Sequence, residues 1–158
     1  MKTFVMIPTY NESENIRNLI DRILSLKMKD LQIVVVDDNS PDGTSDIVEN
    51  ISKDRKNVHL FLRKTNKGRG AAGRDGFIYC LKHGADIIVE MDADMSHDPK
   101  YIPLMIKELK NAALVLGSRR TEGGKEIGRG ILRKFVTWGA NLYIRIMLGL
   151  KVRDCNSG

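Results

Sequence analysis

The chain has little cysteine and no long hydrophobic run. Of its 158 residues only Cys80 and Cys155 carry thiols. They stand far apart and without metal-ligand spacing, which argues against a zinc site and for reduced, cytosolic thiols. No stretch approaches the roughly eighteen apolar residues of a membrane span. The start, Met1-Lys2-Thr3-Phe4-Val5-Met6-Ile7-Pro8, lacks the length and cleavage site of a signal peptide and reads as a first strand. There is no internal repeat, low-complexity tract or clear linker, so a single domain over 1–158 is expected, large enough for a real core. No G-x-x-x-x-G-K-[ST] occurs, which excludes a P-loop at motif level.

What is present is alternation of apolar strands with amphipathic helices. Strands are expected at 3–7, 31–36, 58–62, 85–91 and 113–116. Asn11 with Glu14 resembles a capping box ahead of Ile16, Leu19, Ile20 and Ile23 at helical spacing. A short helix with Ile47, Val48 and Ile51 inward follows the second strand, and another spans about 71–83. Asp98-Pro99 reads as a cap and first turn, although Pro103 moves the helix proper towards Tyr101. A last helix is expected over 131–147. Strand–helix alternation predicts a mainly parallel sheet with helices on both faces, whose ligands bind beyond the carboxyl ends of the strands.

Chemistry gathers at that edge. In Val89-Glu90-Met91-Asp92-Ala93-Asp94 an apolar strand ends in two carboxylates two residues apart. Positions i and i+2 of extended backbone point the same way, so both can reach one object. A hard divalent cation, Mg2+ or Mn2+, suits two carboxylates shared with substrate phosphates. Two solvated aspartates in a turn are the plainer alternative. Asp37 and Asp38 also end a strand. Asp37 is the better candidate for contact with ribose or base, and Asp42 serves either turn or ligand. Glu12 opens a helix, where a carboxylate also favours the dipole. His97 follows the acidic pair as a metal ligand, a supporting group or a loop residue. His59 and His83 look structural.

Charge is unevenly placed. Residues 119–158 hold nine basic and three acidic side chains, equal to the net +6 of the whole chain. Arg119, Arg120 and Arg133 lie there, and the guanidinium fork suits phosphate. An anionic partner or a solvated basic face would both explain the excess. Trp138, Tyr143, Ile144 and Met147 read first as packing. With Arg145, Lys151 and Arg153 nearby, an interfacial membrane role stays open.

Several functions compete. Gly68-Arg69-Gly70-Ala71-Ala72-Gly73 satisfies the dinucleotide fingerprint literally, but that fingerprint belongs after the first strand, where Pro8-Thr9-Tyr10-Asn11-Glu12 has no glycine. A nucleotidylyltransferase meets the same objection. A nucleic-acid binder would explain the positive balance but not acidic residues at strand ends.

Taken together, Ile7-Pro8-Thr9-Tyr10-Asn11-Glu12, Val35-Val36-Asp37-Asp38-Asn39-Ser40-Pro41-Asp42-Gly43-Thr44, Asn66-Lys67-Gly68, Met91 to Pro99, Gly117-Ser118-Arg119 and Asp154 to Gly158 resemble the family 2 glycosyltransferases of GT-A fold. The narrower resemblance is to dolichol-phosphate mannose synthases and related polyprenyl-phosphate hexosyltransferases. It implies a Rossmann-like, three-layer α/β/α sandwich. It also implies an inverting, metal-dependent transfer of a hexose, mannose from GDP-mannose, to dolichol or polyprenyl phosphate. Another sugar nucleotide such as UDP-glucose or another acceptor, or an inactive sugar-nucleotide-binding fragment, is the alternative. Pro8, Tyr10, Glu12, Asp37, Asp42 and Lys67 would surround the nucleotide. Asp92 and Asp94 would meet metal and diphosphate, with Ser96 where some relatives carry a further ligand. Arg119 and Arg133 would meet acceptor or donor phosphate. Work at the cytosolic face of a membrane by peripheral contact is implied, without nucleic acid. Relatives continue beyond the Ser-Gly, so a C-terminal truncation is expected.

Overall fold

The computed structural model describes residues 1–118 and, of the later chain, 138–140, 143, 146, 147 and 149. The chain divides into two compact units, Met1–Lys107 and Glu108–Gly158. The first contains β1 (Thr3–Thr9), α1 (Ile16–Leu24), β2 (Leu31–Asp37), α2 (Thr44–Asp54), β3 (Val58–Leu62), α3 (Arg69–Lys82) and β4 (Ile87–Glu90). A 3-10 turn (Pro99–Tyr101) then leads into α4 (Ile102–Glu108).

The four strands form one parallel sheet in the order β3-β2-β1-β4. Every residue of β1 is buried, as is nearly all of β2. This is why both read as near-continuous apolar runs: a central parallel strand is covered on both faces. Period-two alternation then sorts their side chains. Val5, Ile7, Ile33 and Val35 enter one core with Ile16, Leu19, Ile20 and Ile23 of α1 and Val48 and Ile51 of α2. Phe4, Met6, Val34 and Val36 enter the other, with Ala72 and Cys80 of α3. The expected three-layer α/β/α arrangement with a parallel sheet is therefore present.

Local departures have local causes. The Asn11–Glu14 capping box does not form. Asn11 takes a left-handed conformation (φ 59°) and α1 begins at Ile16, without a side-chain cap. The Asn11 and Glu12 amides donate instead to the loop after β2, which delays the helix. The turn closes on the Glu12 carbonyl, which accepts from the amides of Asn15 (3.0 Å) and Ile16 (2.9 Å). Asp98 does cap: its carboxylate accepts from the Lys100 amide at 3.1 Å, with Pro99 opening the 3-10 turn. Pro103 sits in the first turn of α4, where a missing N–H costs nothing.

In the second unit, residues 113–116 form no strand. Leu114 and Leu116 are exposed, so that short apolar run lacks the burial a parallel strand needs. Residues 138–140, 143, 146 and 147 are helical, within the helix expected over 131–147; the remainder of that span lies outside the described residues. Among the described residues no helix is long and apolar enough to cross a membrane.

Helix α3 approaches the sheet closely through one glycine. A Cβ on Gly76 would lie 2.9 Å from Met6 Cγ and Sδ and 3.0 Å from Val36 Cγ2. Gly76→Val should therefore lower unfolding free energy by about 2 kcal/mol, because overpacking outweighs the gain in helix propensity. The expected readout is a lower urea midpoint with unchanged slope. A midpoint equal to the parent's would show that α3 can lift off the sheet without cost.

Candidate functional site

The chain steps outward from β1 to β2 to β3 on one face, then returns through α3 on the other to place β4 beside β1. The β1–β4 gap is thus the topological switch point of the sheet, where open α/β folds bind ligands. A cavity of about 560 Å3 lies there. Its walls come from four chain segments: Pro8, Thr9, Tyr10 and Glu12 after β1; Asp38 after β2; Lys67, Gly68, Arg69 and Ala72 at the start of α3; and Asp92, Ala93 and Asp94 after β4.

The loops after β1 and β2 form one body. The Asn11 amide donates to Ser40 Oγ (3.0 Å), Glu12 to Thr44 Oγ1 (2.9 Å) and Ser13 to Asp42 Oδ2 (2.9 Å). Asp42 also accepts from the Thr44 amide (3.0 Å) and hydroxyl (2.6 Å). Desolvation is the largest influence on its carboxyl and acts upward, but these hydrogen bonds together pull its pKa down to about 2. Asp37 is wholly buried. Its Oδ1 accepts from the hydroxyls of Thr9 (2.8 Å) and Ser40 (2.6 Å), its Oδ2 from the Ser40 amide (2.8 Å). It pins the ends of β1 and β2, which stand in register at Thr9 and Asp37.

Asp38 turns to the other side. It pairs with Arg63, and its Oδ2 accepts from the Gly68 amide at 2.6 Å. The Arg63 side chain is almost fully buried and also reaches Asp75 of α3 (3.1 Å) and the Asn66 carbonyl. A buried charge is tolerated only when paired and hydrogen-bonded, as this one is. The clamp holds the turn that presents Lys67, Gly68 and Arg69 to the cavity. Asn66 takes the left-handed conformation the turn requires (φ 53°).

The acidic segment after β4 is folded back on itself. The Asp92 amide donates to His97 Nδ1 (3.2 Å), which puts the neutral ring's proton on Nε2. Asp92 Oδ1 accepts from Arg69 Nη2 (2.8 Å), whose Nη1 donates to Glu90 Oε1 (2.7 Å). Asp94 Oδ1 accepts from the Ser96 amide (2.9 Å). Hydrogen bonds from the Ser96 hydroxyl and amide hold the Asp94 carboxyl below its ordinary range, so it is ionised at neutral pH.

Of the residues singled out in the sequence, Pro8, Tyr10, Glu12, Lys67, Asp92 and Asp94 line the cavity together. Asp37 and Asp42 do not; Asp38 supplies the wall after β2. Ser96 engages Asp94. Arg119, Arg120 and Arg133 lie outside the described residues. Sequence reasoning missed Arg63, whose carboxylate partners are 12 and 25 residues away. His59 bonds Gln32 Oε1 (2.9 Å) and His83 bonds the Tyr79 carbonyl (2.7 Å), both away from the cavity. Burial pushes the Cys80 thiol up to about 11, so it is a packing residue.

Several known proteins are similar to this chain. The undecaprenyl-phosphate mannosyltransferase of Micrococcus luteus is 40% identical over 158 residues, covering 100% of this chain and 65% of that protein. The dolichol-phosphate mannosyltransferase of Pyrococcus furiosus is 40% identical over 156 residues, covering 98% and 43%. The chain thus spans less than two thirds of these relatives. Among solved structures, the mannosyltransferase PcManGT from Pyrobaculum calidifontis in complex with GDP-Man and Mn2+ superposes with a TM-score of 0.56 at 25% identity, covering 75% of this chain and 36% of that one. Mannosyl-3-phosphoglycerate synthase from Rubrobacter xylanophilus shares the fold, with a TM-score of 0.57 at 20% identity over 71% of this chain and 37% of the other. The model of glycosyl transferase family 2 matches residues 4–155, and the chain belongs to that family.

Proposed function

We propose that this chain is the catalytic domain, both units included, of an inverting glycosyltransferase that moves mannose from GDP-mannose to polyprenyl phosphate. The observation that carries the reading is the make-up of the cavity wall. It holds four carboxylates, Glu12, Asp38, Asp92 and Asp94, against Lys67 and Arg69. Arg63 neutralises Asp38, which leaves an excess of negative charge. A nucleoside diphosphate would be repelled from such a wall unless a cation entered with it. The relatives named for polyprenyl-phosphate mannose transfer and the neighbour holding GDP-Man and Mn2+ support the choice of substrates and metal.

The donor set fits a hard divalent ion. Asp92 and Asp94 offer carboxylate oxygens on one wall, and Mg2+ or Mn2+ completes such a set with water and phosphate oxygens. Once bound, the ion would supply Lewis-acid stabilisation of the departing diphosphate. The chain's own groups do the rest. Lys67 and Arg69, on the cavity wall, would stabilise the negative charge that grows on the leaving group. Tyr10, more than half exposed at the cavity mouth, offers its ring to the base. Ser96 orients Asp94, and His97 fixes the backbone at Asp92. The nucleophile is a phosphate oxygen, already anionic at neutral pH, so no general base is required. Attack opposite the leaving group inverts the anomeric centre. Arg119 and Arg133 are assigned to acceptor or donor phosphate. The acceptor's lipid tail sets the place of work at a membrane surface, and we assign it to the cytosolic face.

Asp92→Asn and Asp94→Asn should each weaken metal-dependent binding of GDP-mannose about tenfold or more, measured calorimetrically with Mn2+, while the melting temperature stays near the parent's. Equal affinity in both variants would remove the metal assignment. In a thermal-shift series with Mn2+, GDP should stabilise the protein more than UDP or ADP; at a hundred times its dissociation constant it contributes about 2.7 kcal/mol. A larger shift with UDP would replace the donor. Labelled GDP-mannose with polyprenyl phosphate and Mn2+ should place label in the lipid fraction, and its absence there would overturn the acceptor.

A further inference from the structure

Two arginines at this site pair with carboxylates, and they differ in kind. The side chains of Arg63 and Asp38 are 3% and 7% exposed, a sealed staple. Those of Arg69 and Asp92 are 49% and 30% exposed. Ion pairs as open as the second contribute little to folding. Arg69 is also the first residue of α3, where the positive end of the helix dipole disfavours a cation. Its fork is held there by Glu90 on one arm and Asp92 on the other. A guanidinium thus occupies an oxygen of one of the two carboxylates assigned to the metal.

We propose that Arg69 is a resident counter-cation of the metal site: it holds Asp92 until a divalent ion and the donor diphosphate arrive together, then releases Asp92 to the ion and turns the freed arm to phosphate. The proposal rests on the assignment of Asp92 and Asp94 as metal ligands. A metal alone meets a carboxylate already paired and a positive charge beside it. A nucleotide alone meets the excess acid of the wall. With both, the diphosphate gives the Nη2 arm a new charged partner as the ion takes Asp92. Glu90 keeps one arm, so Arg69 pivots without leaving. Gly73, one turn along α3, faces this pair: a Cβ there would lie in ordinary van der Waals contact, 3.4 Å from Glu90 Oε1 and 3.6 Å from Arg69 Nη1. The two ligands are thereby coupled, each easing the entry of the other.

Mn2+ binding, followed by loss of the free ion's EPR signal with and without GDP-mannose, tests this. Wild type should bind Mn2+ weakly alone and more tightly with GDP-mannose. Arg69→Gln should bind Mn2+ alone about fivefold more tightly, the gain expected when an open ion pair no longer competes, and should lose most of the enhancement by GDP-mannose. Arg74→Gln removes the same charge from the same helix but from a residue paired with Asp75, and should change neither value. Arg69→Lys, which keeps charge but loses the fork, should fall between and serves if the glutamine variant fails to fold. Unchanged or weaker Mn2+ binding in the Arg69 variants, or an equal gain in Arg74→Gln, would overturn the exchange. Asp92→Asn separates the two levels: if Mn2+ bound with GDP-mannose survives it, the metal assignment itself fails.

Discussion

Two adjacent carboxylates at the end of β2 hold the site together by serving opposite sides of the sheet. Asp37 gathers Thr9 and Ser40, fixing the loops that run to α1 and α2. Asp38 gathers Arg63 and the Gly68 amide, fixing the turn into α3. The cavity needs both. Its first wall follows the loops that Asp37 organises, and its basic wall follows the turn that Asp38 and Arg63 organise. A low-dielectric setting makes such networks costly to break, since each lost partner strands a buried polar group.

Much of this was legible because the cause was local. The near-unbroken apolar runs of β1 and β2 declared two-sided burial, and the spacing of Ile16, Leu19, Ile20 and Ile23 declared a helix face. The gathering of motifs at the carboxyl edge followed from strand–helix alternation alone. The division of labour between Asp37 and Asp38 was not legible. Successive strand residues face opposite ways, so the outcome depends on where β2 ends, and it ends one residue later than its apolar run. Arg63 was hidden for another reason: after β3 it looks like any solvated cation until α3 supplies Asp75 and the strand end supplies Asp38. The run at 113–116 misled because four apolar residues are too few to distinguish a buried strand from exposed coil.

Asparagine recurs where the chain leaves the sheet. Asn11, Asn39 and Asn66 follow β1, β2 and β3, and each is left-handed, at φ 59°, 55° and 53°. Asparagine tolerates that region better than other side-chain-bearing residues. After β4 the same conformation falls to Met95, φ 63°, between Asp94 and Ser96. A residue poorly suited to it thus sits beside the Asp94 carboxylate, where local strain is held by the Asp94–Ser96 bond.

The three amide bonds from Asn11, Glu12 and Ser13 into the neighbouring loop have a mechanical consequence. Tyr10 and Glu12 cannot swing without dragging the start of α2, so that side of the cleft acts as a fixed jaw. Admission and escape of whatever fills the cleft then fall to the opposing jaw, the acidic segment beyond β4, which Arg69 holds at Asp92 and Arg22 of α1 holds at Asp98.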